Sequence, residues 1–329
     1  MFQNLFRSAM LGIALTGCAV LSAAPASAAD YPSRNLTLIV PSAPGGGCDL
    51  VARNFATHFE KYIGQTVVVS DRAGGGGSVG MSVLSHSRPD GYTLGVTVIG
   101  CVLMQPLYGS TDYTTSDLKP IASITRVPSM IAVNKSCGIK NYDDFIAYAK
   151  AHPGDLKISV AAAKGLPHLS VESFVRTAGI KVKVMPYKGA NPAVAACLGG
   201  HTEAFVGGPS ETLVHCQSGE MIPIAVFTEE RLPAFPDTPT FKEKGCDVTY
   251  SVWRGIAVPK GTPDDICKTI EAAVEKTMAD PSYVEGLKKI GEDFSYKNTA
   301  DTKAMWEKEG AMLEQLIKDL GYYMQNKQK

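Results

Sequence analysis

Residues Leu36 to Arg53, reading LTLIVPSAPGGGCDLVAR, constrain the fold more than any other stretch of this chain. The apolar run Leu36, Leu38, Ile39 and Val40 has strand character and ends at Pro41; Pro44-Gly45-Gly46-Gly47 then opens a helical pattern. Glycines between a strand and a helix let backbone N–H groups converge on one point, with the positive end of the helix behind them. Such a loop holds an anion with main chain alone, so a small carboxylate suits it as well as a phosphate. Cys48-Asp49 follows Gly47, and the Gly-Lys-[Ser/Thr] ending of a nucleotide-binding P-loop is missing. A tight strand-to-helix turn with no ligand is the competing reading.

The N-terminus reads as an address. Met1 to Arg7 is a short basic start, Ser8 to Leu21 is apolar, and Ala26-Ser27-Ala28 fits a small-x-small cleavage site, so residues 1–29 are expected to leave as a signal peptide near Ala28/Ala29. Leu15-Thr16-Gly17-Cys18 offers a rival outcome, a lipoprotein anchored at Cys18. Roughly 300 residues remain, more than one comfortable core, so two lobes are expected. The 32 basic and 32 acidic side chains balance, which argues against nucleic acid as a partner. Beyond the leader stand Cys48, Cys101, Cys137, Cys197, Cys216, Cys246 and Cys267, an odd number without Cys-x-x-Cys spacing. Zinc and thioredoxin-type readings fail on that spacing, and the pairing stays open. Most of these thiols read as apolar fillers. Cys48, at a helix N-terminus inside the glycine loop, is either a packing residue or an acidified thiol.

Val51, Phe55, Phe59 and Ile63 mark one face of a helix that Gly64 stops. Strands are expected at Thr66–Ser70, Tyr92–Ile99, Met130–Val133, Lys157–Val160, Val182–Met185, Ala204–Gly207, Ile224–Phe227 and Val252–Val258, alternating with helical patterns. The C-terminus reads as three helices: Pro263–Ala279, Tyr283–Ile290 and Ala300–Gly321. The class is α/β. Ile121–Val133 and Ile222–Val258 read as two crossings between lobes. Residues 30–128 and 251–329 would form lobe 1, and residues 129–250 an inserted lobe 2.

Several chemistries compete. RAGGGGSVG (72–80) satisfies both G-x-G-x-x-G and G-x-S-x-G. The dinucleotide reading lacks an acid closing the next strand, and a serine hydrolase using Ser78 lacks an HGGG loop and a histidine in the last third of the chain. The glycines, Gly77 among them, more simply let the backbone approach a ligand or the neighbouring glycine loop. The six histidines are isolated, so no metal or other cofactor is implied. His168 opens a helix after the flexible loop Ala162-Ala163-Lys164-Gly165, where it would touch a ligand or cap and pack. Asp49 reads chiefly as a cap, pointing away from a bound anion. Arg254 lies in an apolar strand where a charge needs a partner: either a ligand carboxylate or an internal Asp or Glu.

Taken in order, Tyr31-Pro32-Ser33, Val40-Pro41-Ser42-Ala43-Pro44-Gly45-Gly46-Gly47 with Asp49 and Arg53, Pro89-Asp90-Gly91-Tyr92-Thr93-Leu94, Pro186-Tyr187-Lys188-Gly189, Pro236-Asp237-Thr238-Pro239-Thr240 and Pro259-Lys260-Gly261-Thr262-Pro263 carry a pattern. The chain resembles the substrate-binding receptors of tripartite tricarboxylate transporters, the Bug family, over nearly its whole mature length. The resemblance implies a two-lobed periplasmic binding protein fold, type II-like, each lobe a mixed, mostly parallel sheet flanked by helices, with the ligand cleft between lobes. It implies a monomeric receptor, not an enzyme, that delivers a small organic carboxylate to a membrane permease; presentation to a sensor kinase is the alternative. The loop residues Ser42, Ala43, Pro44, Gly45, Gly46, Gly47, Cys48 and Asp49, and Ala162, Ala163, Lys164, Gly165 and His168, would clamp one carboxylate, mainly through the backbone N–H groups and ordered water of the two loops. Gly77, Ser78, Gly100, Cys101, Tyr187, Gly208, Pro209, Ser210 and Arg254 complete the expected ligand-facing set. Cys48, Ile99-Gly100-Cys101 and Ala161–Gly165 depart from the family's usual residues. The charges of Lys164 and Arg254 favour a di- or tricarboxylate.

Overall fold

The computed structural model describes residues 31–187, 189–290 and 292–324; the leader, with its expected cleavage site and Cys18, lies outside them. Two sheets organise the chain. The first has the order β11-β4-β10-β3-β1-β2, built from β1 (Leu36–Val40), β2 (Val67–Asp71), β3 (Thr93–Val98), β4 (Leu118–Pro128), β10 (Ser251–Pro259) and β11 (Phe294–Lys297). The second has the order β7-β6-β8-β5-β9, built from β5 (Met130–Asn134), β6 (Lys157–Val160), β7 (Lys183–Pro186), β8 (Ala204–Gly207) and β9 (Met221–Val226). Each holds a parallel trio, β2-β1-β3 or β7-β6-β8, and its other pairings are antiparallel.

Helix α1 (Gly47–Ile63) buries the expected stripe of Val51, Phe55, Phe59 and Ile63, each such side chain contributing about 1.5–3 kcal/mol. Phe55 and Phe59 stack at 4.8 Å, and the ring of Tyr283 meets Phe55 edge-on. Tyr283 belongs to α9 (Pro281–Lys289), which follows α8 (Asp264–Met278). The last helix, α10 (Thr299–Asp319), docks on β4: Thr302 Oγ1 accepts from the Ser123 amide at 2.8 Å, and Trp306 stacks on Trp253 of β10. Beside the second sheet Phe241 packs on Phe174 and Phe227, with centroids 4.5 and 4.2 Å away.

The chain passes between the sheets twice. Ser129 alone separates β4 from β5, and the return runs from Phe227 to Tyr250. The Phe227 amide donates to the Ser129 carbonyl at 2.8 Å and the Tyr250 amide to the Phe227 carbonyl at 2.9 Å, so the two passages are bonded together. Register then fixes where the loops go. Arg254, near the start of β10, lies opposite Val98 at the carboxyl end of β3, and Met130, at the start of β5, lies opposite Gly207 at the carboxyl end of β8. The carboxyl ends of both parallel trios therefore lie toward the crossings, and the loops that follow β1, β2, β3, β6, β7 and β8 gather at the gap between the sheets, where open α/β sheets bind ligands.

β11 falls in a segment read from sequence as the gap between two helices. It is four residues long, sits at the sheet edge, and pairs with β4 across a register irregularity, so it offers too little alternation to be read as a strand.

Candidate functional site

Two loops share one geometry. After β1, Gly45 takes φ +77°, Gly46 is extended as the N-cap, and α1 begins at Gly47. After β6, Lys164 takes φ +56°, Gly165 is extended as the N-cap, and α5 (Leu166–Ala178) begins. In each, the third helical residue reaches back to the amide before the cap: Gly45 N donates to Asp49 Oδ2 at 2.7 Å, and Lys164 N donates to His168 Nδ1 at 2.9 Å. The first intrahelical bonds, Leu50 N to Gly46 O and Leu169 N to Gly165 O, are both 3.0 Å. The amides of Gly47, Cys48 and Asp49, and of Leu166 and His168, precede those bonds and form the two donor groups at the helices' positive ends.

This corrects the glycine-loop reading in one respect. The Gly45 amide is committed to Asp49 and the Gly46 amide points to Ala43 O at 3.4 Å, so the donors move from the glycine loop into the first turn of the helix. Asp49 is the cap the sequence suggested. Its second oxygen meets Arg53 Nε at 2.7 Å, and Arg53 bridges on to Asp71 at 3.0 Å. Burial works against the Asp49 carboxylate, but Arg53 and the Gly45 amide outweigh it and hold the group below its usual range. His168 is buried and spans from the Lys164 amide to Glu172, 3.4 Å from Nε2.

Gly47 has a further role. A Cβ there would stand 3.3 Å from both Arg254 Nη2 and Glu292 Oε1. Arg254 of β10 forms an ion pair with Glu292, which follows α9, and the two side chains are 13% and 9% exposed. The internal-acid reading of Arg254 is thus the contact present, and the third glycine makes room for that pair. Among the described residues, Arg254 Nε and Ser42 Oγ are both buried without a hydrogen-bond partner. Between them sits Cys48: burial pushes its thiol up, against the pull of Arg254 and Ser42, which leaves a packing residue and not an acidified nucleophile.

Around this centre lie the remaining expected residues. Ala43 and Pro44 are exposed, as are Ala162 and Ala163. The Lys164 carbonyl accepts from Tyr108 Oη at 2.8 Å, and its ammonium lies over the rings of Tyr322 (4.8 Å) and Tyr108 (5.6 Å). Tyr108 closes the short helix α3 (Gln105–Tyr108) of the first sheet's side, so this contact spans the gap. Gly77 lets α2 (Ser78–Ser85) approach the first loop: a Cβ there would be 2.7 Å from Cys101 Cβ and 3.3 Å from Pro41 Cβ. Ser78 starts α2. Its hydroxyl lies against Gly75, and among the described residues no hydrogen bond joins it to a histidine; His86 is engaged by Ser82 and Ser85 on its own helix. Gly100 starts a helical turn, but Cys101 turns inward, its thiol donating to Val98 O at 3.2 Å and pushed up to about 12 by burial, so it offers no side chain to the gap. Tyr187 packs on the Ala193–Cys197 cluster, its amide donating to Val160 O at 2.9 Å. Gly208 caps α7 (Pro209–Gln217), and its amide donates to Glu211 Oε2 at 2.6 Å; the Ser210 side chain lies outside what is described.

Glu292 and Glu211 were not among the residues the sequence singled out. The rule that a charge in an apolar strand needs a partner announced one of them, without saying which acid 38 residues away would supply it. Among the described residues no group of three or more His, Cys, Asp or Glu is placed to hold a metal. Nor is any helix long and apolar enough to cross a membrane. A groove of about 1000 Å³ is lined by Arg126, Glu229, Asp293, Phe294 and Met312 among others, and none of the loop residues lines it.

Two mixed sheets, joined by two passages and gathering helix N-termini at the gap between them, define a two-lobed solute-binding protein. The chain belongs to the tripartite tricarboxylate transporter family of receptors, whose family model matches residues 51–322. It is 33% identical over 287 residues to the protein BugT of Bordetella pertussis, covering 85% of this chain and 86% of that one. A TctC solute-binding protein from Polaromonas, solved without ligand, superposes with a TM-score of 0.79 at 31% identity, covering 88% of this chain and 99% of the other. A protein of R. palustris solved with adipate gives 0.77 at 29% identity, covering 89% and 99%. The family is thus one of transporter receptors, and its structural relatives include solute-binding proteins such as the Polaromonas one and the periplasmic binding protein BugD.

Proposed function

We propose that this chain captures a small organic carboxylate in the gap between its sheets and delivers it to the membrane permease of a tripartite tricarboxylate transporter. The observation that carries this reading is the pair of equivalent loops, one on each sheet, each presenting first-turn amides at the positive end of a helix. Residues 30–128 and 251–329 act as one lobe and 129–250 as the other, moving about the passages at Ser129 and Phe227–Tyr250. The protein works as an exported monomer after cleavage near Ala28/Ala29 and carries out no reaction. The adipate of the R. palustris relative supports a dicarboxylate. The charges of Lys164 and Arg254 support it less than the sequence suggested, since one lies over tyrosine rings and the other pairs with Glu292.

A thermal-shift screen against mono-, di- and tricarboxylates tests the reading. A ligand at 100 times its dissociation constant stabilises the folded state by about 2.7 kcal/mol. The reading predicts a saturable rise in melting temperature with at least one carboxylate; no rise with any of them would sink it.

A further inference from the structure

The charge balance at the floor of the gap points to a feature of the ligand beyond its carboxylate. Arg254 and Glu292 lie within van der Waals reach of the first residue of α1, as the 3.3 Å distances at Gly47 show. The first turn of α7, from the other sheet, arrives at the same place. A Cβ at Gly208 would stand 3.0 Å from Val127 Cγ1; Val127 is opposite Val252, and Val252 and Arg254 project from the same face of β10. Glu211 is in that turn, with one oxygen taken by the Gly208 amide. Burial pushes both glutamates up; Arg254 pulls each down, while Glu211 and Asp293 push Glu292 further up. One guanidinium thus pairs through Nη1 with Glu292 and acts at longer range on Glu211, so two carboxylates share one positive charge in a partly desolvated space. Among the described residues, the buried Cys48 thiol, the Ser42 hydroxyl, Asp293 and the unpartnered Tyr283 hydroxyl lie around this pair, and none of them adds positive charge. Two carboxylates against one guanidinium leave a surplus of negative charge at the floor, which a cationic or hydrogen-bond-donating group on the ligand would offset and a further anion would add to.

We propose that Glu211, with Glu292 holding Arg254, selects among small carboxylates those that also carry a hydrogen-bond donor, an ammonium above a hydroxyl and a hydroxyl above a plain carbon. This rests on the carboxylate-receptor reading and deepens it. The clamp at α1 and α5 takes the carboxylate common to all candidates, and the acid-rich floor discriminates by what else the molecule carries.

Calorimetric titration with two matched series, propionate, lactate and alanine, and succinate, malate and aspartate, tests it. Hydrogen bonds to a charged group imply roughly ten- to hundredfold tighter binding for the donor-bearing member of the preferred series. Glu211→Gln keeps an oxygen for the Gly208 amide and should flatten that ratio severalfold, and Glu211→Lys should reverse it toward the unsubstituted acid. Melting curves of both variants confirm that they fold. If unsubstituted acids bind as tightly as their amino and hydroxy partners, or if Glu211→Gln leaves the ratio unchanged, the inference is overturned while the carboxylate reading stands. If no carboxylate binds in either series or in the wider screen, both fall together.

Discussion

Removing Glu292 tests the reasoning about the floor of the gap most directly. Its carboxylate is the hydrogen-bonded partner of a guanidinium 13% exposed, and the Nε of that guanidinium already lacks an acceptor. Glu292→Leu would leave Nη1 unpaired as well. Both side chains are well below one-third exposed, so solvent screening gives little relief, and breaking a buried pair from one side costs about 3–5 kcal/mol. The opening toward the gap lets water reach the orphaned group, which places the cost near the lower figure. For a chain of this size that corresponds to roughly 2 °C per kcal/mol, or a fall in melting temperature of about 6 °C. Arg254→Leu should cost a similar amount by stranding the acid. The double variant, with no buried charge left to strand, should recover most of the loss, giving a coupling energy of about 2 kcal/mol or more. Urea unfolding of the four proteins at neutral pH measures the cycle. Single variants that each lose less than about 0.5 kcal/mol, with an additive double, would refute the idea that the pair is desolvated and mutually dependent.

Two further outcomes follow from the geometry. Tyr108→Phe removes the hydroxyl that donates across the gap to Lys164 O, and a net hydrogen bond of about 1 kcal/mol implies carboxylate binding weakened roughly fivefold by calorimetry, with little change in the melting temperature of the empty protein. Glu292 and Glu211 both have raised folded-state values, so their contribution to stability is fully present below the ordinary glutamate value of about 4.3 and is lost as pH rises through the folded values. Glu292→Gln should therefore unfold with a shallower pH dependence than the parent on the mildly acidic side of neutral; parallel curves would refute the assignment.

Much of this was legible from residues alone, and what was not has a physical reason. The stripe Val51, Phe55, Phe59 and Ile63 and the stop at Gly64 are local periodicity, and helix α1 follows them closely. The apolar strands flanking the turn-rich Pro233–Pro239 permitted a return crossing without proving how the chain threads. Which glycine amides are donors could not be read, because that depends on the third helical residue folding back to the amide before the cap, a choice made by side-chain geometry within one turn. The partner of Arg254 was out of reach for the opposite reason. Glu292 comes to it through the packing of α9 on α1, and no local spacing records that contact. Cys101 reads as loop from its glycine neighbour, yet a helical turn begins at Gly100 and draws the thiol into the core.

The lysine at position 164 has a consequence for the empty protein. A left-handed backbone costs an ordinary residue about 1 kcal/mol that glycine would not incur. Beside the His168 ring on its amide, part of what offsets it here, the Tyr108 hydroxyl on its carbonyl and the rings of Tyr108 and Tyr322 beneath its ammonium, comes from outside the second sheet. Were the lobes to separate, the contacts from Tyr108 and Tyr322 would be lost and the turn at 164 would keep, of these contacts, the link to His168 alone. The two halves of the clamp would then be coupled through one lysine, and a solute meeting one lobe by itself would find a less firmly held set of donors opposite.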